Sequence, residues 1–109
     1  MPPDSPLGSF EEQILLGVLR TGADAYGMAV RREIEAVTGR EVAIGAVYAT
    51  LDRLEAKGLT SSARGGDGAR RVFAVTRAGL TALAETRAVR DRLWRGVDLA
   101  AAGLRASPA

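Results

Sequence analysis

Fourteen arginines stand against a single lysine in this 109-residue chain, which has no histidine and no cysteine. That balance decides which chemistry the chain could carry. Without His it lacks the commonest general base and metal ligand, and without Cys it has neither disulfides nor thiol redox chemistry. Glu11, Glu12, Glu33 and Glu35 include carboxylates close in sequence, as a hydrolase would use, yet no nucleophile–base arrangement accompanies them. Ser61 and Ser62 fall on an expected strand, and the GGDGA run at 65–69 lacks the context of a phosphate-binding loop. No enzyme activity, cofactor or metal site is expected. What remains is guanidinium chemistry. Arg64, Arg70 and Arg71 flank the glycine-rich run, where guanidinium forks could bind phosphate oxygens and release counterions. The alternative is that charges on an exposed hairpin edge simply block aggregation.

The distribution of charge favours a polyanion. Net charge is only +2, with a pI near 9.7. Residues 1–20 carry Arg20 against Asp4, Glu11 and Glu12, whereas residues 64–77 carry Arg64, Arg70, Arg71 and Arg77 against Asp67 alone. With 47% hydrophobic and 26% charged residues the composition is that of one small globular domain, and a chain this short is a natural candidate for completing its core by oligomerising. No apolar run approaches the roughly 20 residues needed to cross a bilayer, and MPPDSPLGS has no signal-peptide character. A cytoplasmic location without a membrane partner is expected.

Elements that could position the arginines follow from periodicity and caps. Ser9 and Glu12 form an S-x-x-E capping box for a first helix running to about Arg20, with Phe10, Ile14 and Val18 on its apolar face. Asp24 is the expected N-cap of a second helix, in which Tyr26, Val30, Ile34 and Val37 recur at helical spacing and Gly39 closes the end. In the third helix, within Ala43 to Gly58, Ile44, Val47, Leu51 and Leu54 form one stripe. Its opposite arc holds Gly45, Ala46, Ala49, Thr50, Asp52 and Arg53. Short residues at the front of that arc would let the helix enter a DNA groove; the alternative is an ordinary amphipathic helix with a solvated face. Leu59 to Arg64 and Arg70 to Thr76 read as two strands of a hairpin, with Phe73 and Val75 facing inward.

Thr76 is placed to cap a last helix from about Arg77 to Leu104, with Leu80, Leu83 and Ala84 completing the core. Beyond Ala88 a second stripe of Val89, Leu93, Val97, Ala100 and Leu104 has nothing left in the chain to pack on, as in a dimerisation helix. Gly79, Gly96 and Gly103 are expected to weaken it, each by about 1 kcal/mol relative to Ala. The fold class is therefore mainly α with a small β-hairpin: a winged helix-turn-helix over 9–76 and a dimerisation helix over 77–105, between tails at 1–8 and 106–109.

The segments AYGMAVRREIEAVTGREVAIGAVYATLDRLEAKGL and GARRVFAVTRAGLTAL resemble the PadR family of bacterial transcriptional regulators over roughly Ser9 to Leu83. Gly45, Tyr48, Leu51, Arg53, Leu54 and Glu55 match the family's recognition-helix motif, and Arg71, Phe73, Val75, Thr76 and Gly79 its segment after the wing. The resemblance implies a homodimer on a pseudo-palindromic operator, usually a repressor released by a small molecule or another signal, of the compact subtype with one C-terminal helix. The chain departs from the family pattern at Ala43, where Ser or Thr usually caps the recognition helix, and at Ala49, often proline.

Expected contacts with double-stranded DNA are Gly45, Ala46, Tyr48, Ala49, Thr50 and Arg53 on the recognition helix, and Arg64, Arg70 and Arg71 on the wing. Val89, Leu93, Trp94, Val97 and Leu104 are expected at the dimer interface. Trp94, the single tryptophan, is either an aromatic anchor there or a platform for a flat apolar or aromatic effector. A winged-helix module that binds protein and never DNA is the competing function, because fold alone does not fix function.

Overall fold

The computed structural model describes residues 7–64 and 70–104, so the expected wing turn at 65–69 and most of both expected tails lie outside the described residues. Helix α1 spans Ser9–Thr21, α2 Gly27–Thr38 and α3 Ile44–Ala56; strands β1 (Thr60–Arg64) and β2 (Arg71–Val75) follow, and then α4 (Arg77–Trp94). A single 3-10 turn at Gly22–Asp24 joins α1 to α2. The strands pair antiparallel with Thr60 opposite Val75 and Arg64 opposite Arg71. On the other edge of β2, Tyr26 forms a bridge with Val72, and the Phe73 N–H donates to the Ala25 carbonyl at 2.8 Å. The hairpin is thereby fastened to the start of α2, which a lone two-stranded sheet needs in water.

Ile14, Leu15 and Val18 of α1, Val30 and Ile34 of α2, Val47, Leu51 and Leu54 of α3, Phe73 of β2 and Leu83 of α4 form one core with Ala25. Gly17 lets α1 and α2 approach closely: a Cβ there would sit 3.0 Å from Ile34 and 3.1 Å from Val30. Helix α3 ends in a Schellman motif, in which the Leu59 N–H reaches the Leu54 carbonyl and the Gly58 N–H, at φ +77, reaches Glu55.

Several expected details shift. The N-cap of α1 is Gly8, whose N–H donates to Glu11 Oε1 at 3.1 Å; Ser9 is already helical, and Glu12 turns inward to pair with Arg90 of α4. Leu7 belongs to the domain and not to a tail: it packs against the core, and its N–H donates to Thr86 Oγ1. Asp24 lies in the 3-10 turn, and Tyr26 is the extended N-cap residue of α2. Val37 and Leu80, read as apolar-face residues, are exposed at 57% and 47%.

Helix α4 stops at Trp94, about ten residues short of the expected end, where Arg95 leaves helical geometry and Gly96 takes φ +78. Asp98 then caps one further turn, accepting from the N–H groups of Ala100 and Ala101. Thr76 does cap α4, accepting from the Gly79 N–H at 3.1 Å.

Gly79 is a contact and not a weak point. A Cβ there would run into the Leu59 carbonyl oxygen and the Val75 side chain, so the first turn of α4 seats on the α3–β1 connection only with glycine. Gly45 has open space in the same test. Gly79→Ala is therefore expected to destabilise the fold by about 1–3 kcal/mol, whereas Gly45→Ala is expected to be neutral or stabilising by up to about 1 kcal/mol. Denaturant unfolding of the two variants checks the contrast.

Candidate nucleic-acid interface

Along α3 the exposed arc comprises Gly45, Ala46, Tyr48, Ala49, Asp52 and Arg53. Ala43 is its N-cap and supplies no side-chain hydrogen bond, as its residue type dictates. Thr50, expected among the DNA contacts, is only 3% exposed and so is turned away from any groove. Val47, Thr50, Leu51 and Leu54 space as i, i+3, i+4, i+7, which makes Thr50 part of the core stripe. Its hydroxyl lies 3.3 Å from an Arg53 guanidinium nitrogen, which donates to it.

Tyr48 lies across the first residue of α2. A Cβ on Gly27 would overlap the Tyr48 ring, so that glycine is what allows the phenol to lie there, still 38% exposed. Arg53 faces α1, 3.7 Å from Glu11, and Lys57 donates to the same carboxylate at 2.8 Å. Burial disfavours ionisation of Glu11, but hydrogen bonds from Lys57 and the Gly8 N–H, with the charges of Lys57 and Arg53, outweigh it and hold the carboxyl below its ordinary value of 4.5.

The wing arginines divide between two faces, because side chains on a strand alternate. Arg71 shares a face with Phe73, its guanidinium 4.7 Å from the Phe73 ring centroid. From there it donates to Asp52 Oδ1 at 2.7 Å, Glu55 Oε1 at 3.2 Å and Ser62 Oγ at 3.0 Å. The hydrogen bond to Asp52, opposed by partial burial and reinforced by the charges of Asp52 and Glu55, raises its pKa above an ordinary arginine's. Arg71 is thus a latch between wing and α3, with each of its three guanidinium nitrogens donating one hydrogen bond.

Arg70 and Val72 take the other face. Arg70 stacks on the Tyr26 ring at 4.2 Å, and Arg32 of α2 approaches the same ring at 5.8 Å while donating to the Tyr26 hydroxyl at 2.7 Å. Arg64 is exposed at the end of β1. The residues whose contacts here sequence reasoning missed are Tyr26, Glu11 and Glu55. Period-two alternation across Arg70-Arg71 could have separated the two wing arginines; nothing in the local pattern marks Tyr26 as the ring beneath one of them.

On the far side Val89 is half-buried, and Leu93, Trp94, Val97 and Leu104 are exposed at 73%, 54%, 52% and 63%. Leu93 and Trp94 end α4, while Val97 and Leu104 follow its break at Gly96, so the four do not lie on one continuous helix. Among the described residues no helix is long and apolar enough to cross a membrane.

A family model described as the PadR-like transcriptional regulator family matches residues 15–85. The chain belongs to that family. It is a DNA-binding transcriptional regulator and not an enzyme. No curated protein matches it. Among solved structures, a complex of RosR from H. salinarum is 27% identical, covering 88% of this chain and 81% of that one with a TM-score of 0.69. A winged-helix DNA-binding protein from STIV shares 17% identity over 84% of this chain and 99% of that one, at a TM-score of 0.66. A MepR mutant from S. aureus, bound to an oligodeoxyribonucleotide, shares 14% over 91% and 67%, at 0.62. The last two likenesses establish the winged-helix fold.

Arg71→Ala is expected to lower stability by about 1 kcal/mol, while Arg70→Ala changes it by less than about 0.5, as their melting curves would reveal. Ionised Glu11 favours the folded state, because its folded pKa lies below the unfolded value. That contribution is fully present above about pH 4.5 and is lost as pH falls through the folded pKa. Glu11→Gln should therefore cost up to about 1 kcal/mol at pH 7, and the gap from the parent protein should narrow progressively in urea titrations as the pH is lowered below 4.5.

Proposed function

We propose that this regulator acts in the cytoplasm as a homodimeric repressor on a pseudo-palindromic operator and is released by a small-molecule or other signal. The observation that carries the DNA-facing part is the exposed arc of α3. Gly45, Ala46 and Ala49 leave its front low enough to approach base edges, with Tyr48 and Arg53 as the larger groups beside them. Arg64 and Arg70 flank the arc from the wing as phosphate contacts, and Arg71 serves by holding the wing against Asp52 and Glu55. Few base-reading groups face outward, so specificity rests on Tyr48, Arg53 and the spacing of two such helices.

The apolar surface of Val89, Leu93, Trp94, Val97 and Leu104 supports the dimer. Exposing large side chains together is unfavourable, and a two-fold axis lets identical surfaces bury each other. Trp94 beside that axis offers a planar apolar or aromatic effector a stacking partner.

Anisotropy titrations with duplex from the protein's own promoter region should give a log affinity that falls linearly with log salt, with Arg53→Ala weakening binding or flattening the slope. Absent or salt-insensitive binding to every promoter fragment would instead favour a protein-interaction role. For the dimer, Leu93→Glu is expected to sediment as a monomer where the parent chain sediments at twice the mass; an unchanged dimer would remove this surface from the interface.

A further inference from the structure

Outside α3, the most distinctive grouping of charge lies between the end of α1, the outer face of α2 and the wing. A cleft of about 800 Å³ there is lined by Arg20, Tyr26, Arg32, Glu33 and Arg70, with Val72 and Ala29 among its apolar members. Arg20 is neutralised by Glu33 at 2.7 Å. Arg32 and Arg70 are not: among the described residues neither has a carboxylate within ion-pairing distance, and both guanidinium groups converge on one Tyr26 ring, at 5.8 and 4.2 Å from its centroid. Asp24 lines the same cleft without pairing to either. Two guanidinium groups gathered around one ring without a carboxylate leave positive charge there, which an anion bound beside them would offset. The ring restrains the guanidinium planes, and forks held in this way are suited to phosphate oxygens.

We propose that Tyr26, Arg32 and Arg70 form a phosphate clamp for the DNA backbone, spanning α2 and the wing beside the recognition helix. Continuity with α3 supports DNA as the source of the phosphate. Tyr48 of the exposed α3 arc lies on Gly27, the residue next to Tyr26, so the arc adjoins the clamp. The clamp rests on the DNA-binding reading above and adds the residues through which the helix-turn-helix and the wing would grip one strand together. Arg32 and Arg70 are exposed and lie outside the core, so their removal leaves the fold intact.

Arg32→Ala and Arg70→Ala are each expected to weaken promoter and unrelated duplexes by the same factor and to lower the salt slope by about one, since a phosphate contact carries no sequence information. Tyr26→Phe should retain the Arg70 effect and Tyr26→Leu should lose it. A scan of the duplex with single neutral methylphosphonates should find a position whose substitution weakens the parent protein but not Arg70→Ala. If Arg53→Ala weakens binding while neither clamp variant does, the clamp is overturned and the DNA reading stands. Losses that simply add at every methylphosphonate position would also overturn it. If inorganic phosphate raises the melting temperature only with Arg32 and Arg70 present, and DNA affinity ignores both, the site holds a free anion and the DNA assignment falls.

Discussion

Burial of one ring fixes the register on which the surface proposed to face DNA depends. Phe73 is 2% exposed at the centre of β2, in a core to which all four helices contribute, and removing such a side chain from water contributes about 2–3 kcal/mol. On a strand, a slip of one residue would send every side chain to the opposite face and put Phe73 into solvent. That cost locks Arg71 onto the face of α3 and Arg70 onto the face of α2. The hydrogen bond from the Phe73 N–H to Ala25 and the bridge from Val72 to Tyr26 fix the same register from the edge. Adjacent arginines of identical chemistry thereby acquire different roles: one joins the wing to the recognition helix, and the other remains available outside.

The electrostatics of α3 follow from that division. Asp52 and Glu55 lie beside the surface proposed to face DNA, where unpaired carboxylates would repel phosphates. Arg71 engages both, at 2.7 and 3.2 Å. Glu11 has a similar relation to Arg53 and Lys57 from α1. The difference lies in rigidity: Arg71 is held by three hydrogen-bonded partners and a ring, while the Arg53 side chain is 53% exposed, with a 3.7 Å pair to Glu11. Phosphate can compete for Arg53 at little cost, because an ion pair so exposed is worth little in water. It cannot take Arg71 without loosening the wing.

Most of the fold was legible in the chain because its elements are bounded by strong local signals. The stripe of Val47, Leu51 and Leu54, the glycine closing α3 and the Thr76 cap each act within one or two turns. Interactions of long range were not legible. Glu12 pairs with Arg90, 78 residues away, and that partner takes it out of the capping box its local spacing suggests. Thr50 follows the same logic in reverse: a polar residue beside exposed alanines looks solvated, yet its helical position belongs to the core stripe. Gly79 reads locally as a weak point in a helix, and only the Leu59 carbonyl on another segment reveals it as a seat.

The same contacts bear on how a dimer would present its two recognition helices. A C-terminal helix can set half-site spacing only if its angle to the DNA-binding unit is fixed. Here the first turn of α4 is seated by Gly79 against Leu59, its middle by Leu83 in the core and Thr86 against the Leu7 backbone, and its next turn by Arg90 on the nearly buried Glu12. Four attachments over twelve residues make the helix an extension of the domain, because rocking would break a core contact or a part-buried polar contact. Constraint ends abruptly after Arg90: every residue from Asp91 to Leu104 is exposed. The rigid part of α4 thus carries orientation, and the exposed part carries the surface on which a second copy could act. A ligand stacking on Trp94 would therefore reach the DNA-facing surface most directly by changing how two rigid units meet, with no need to deform either one.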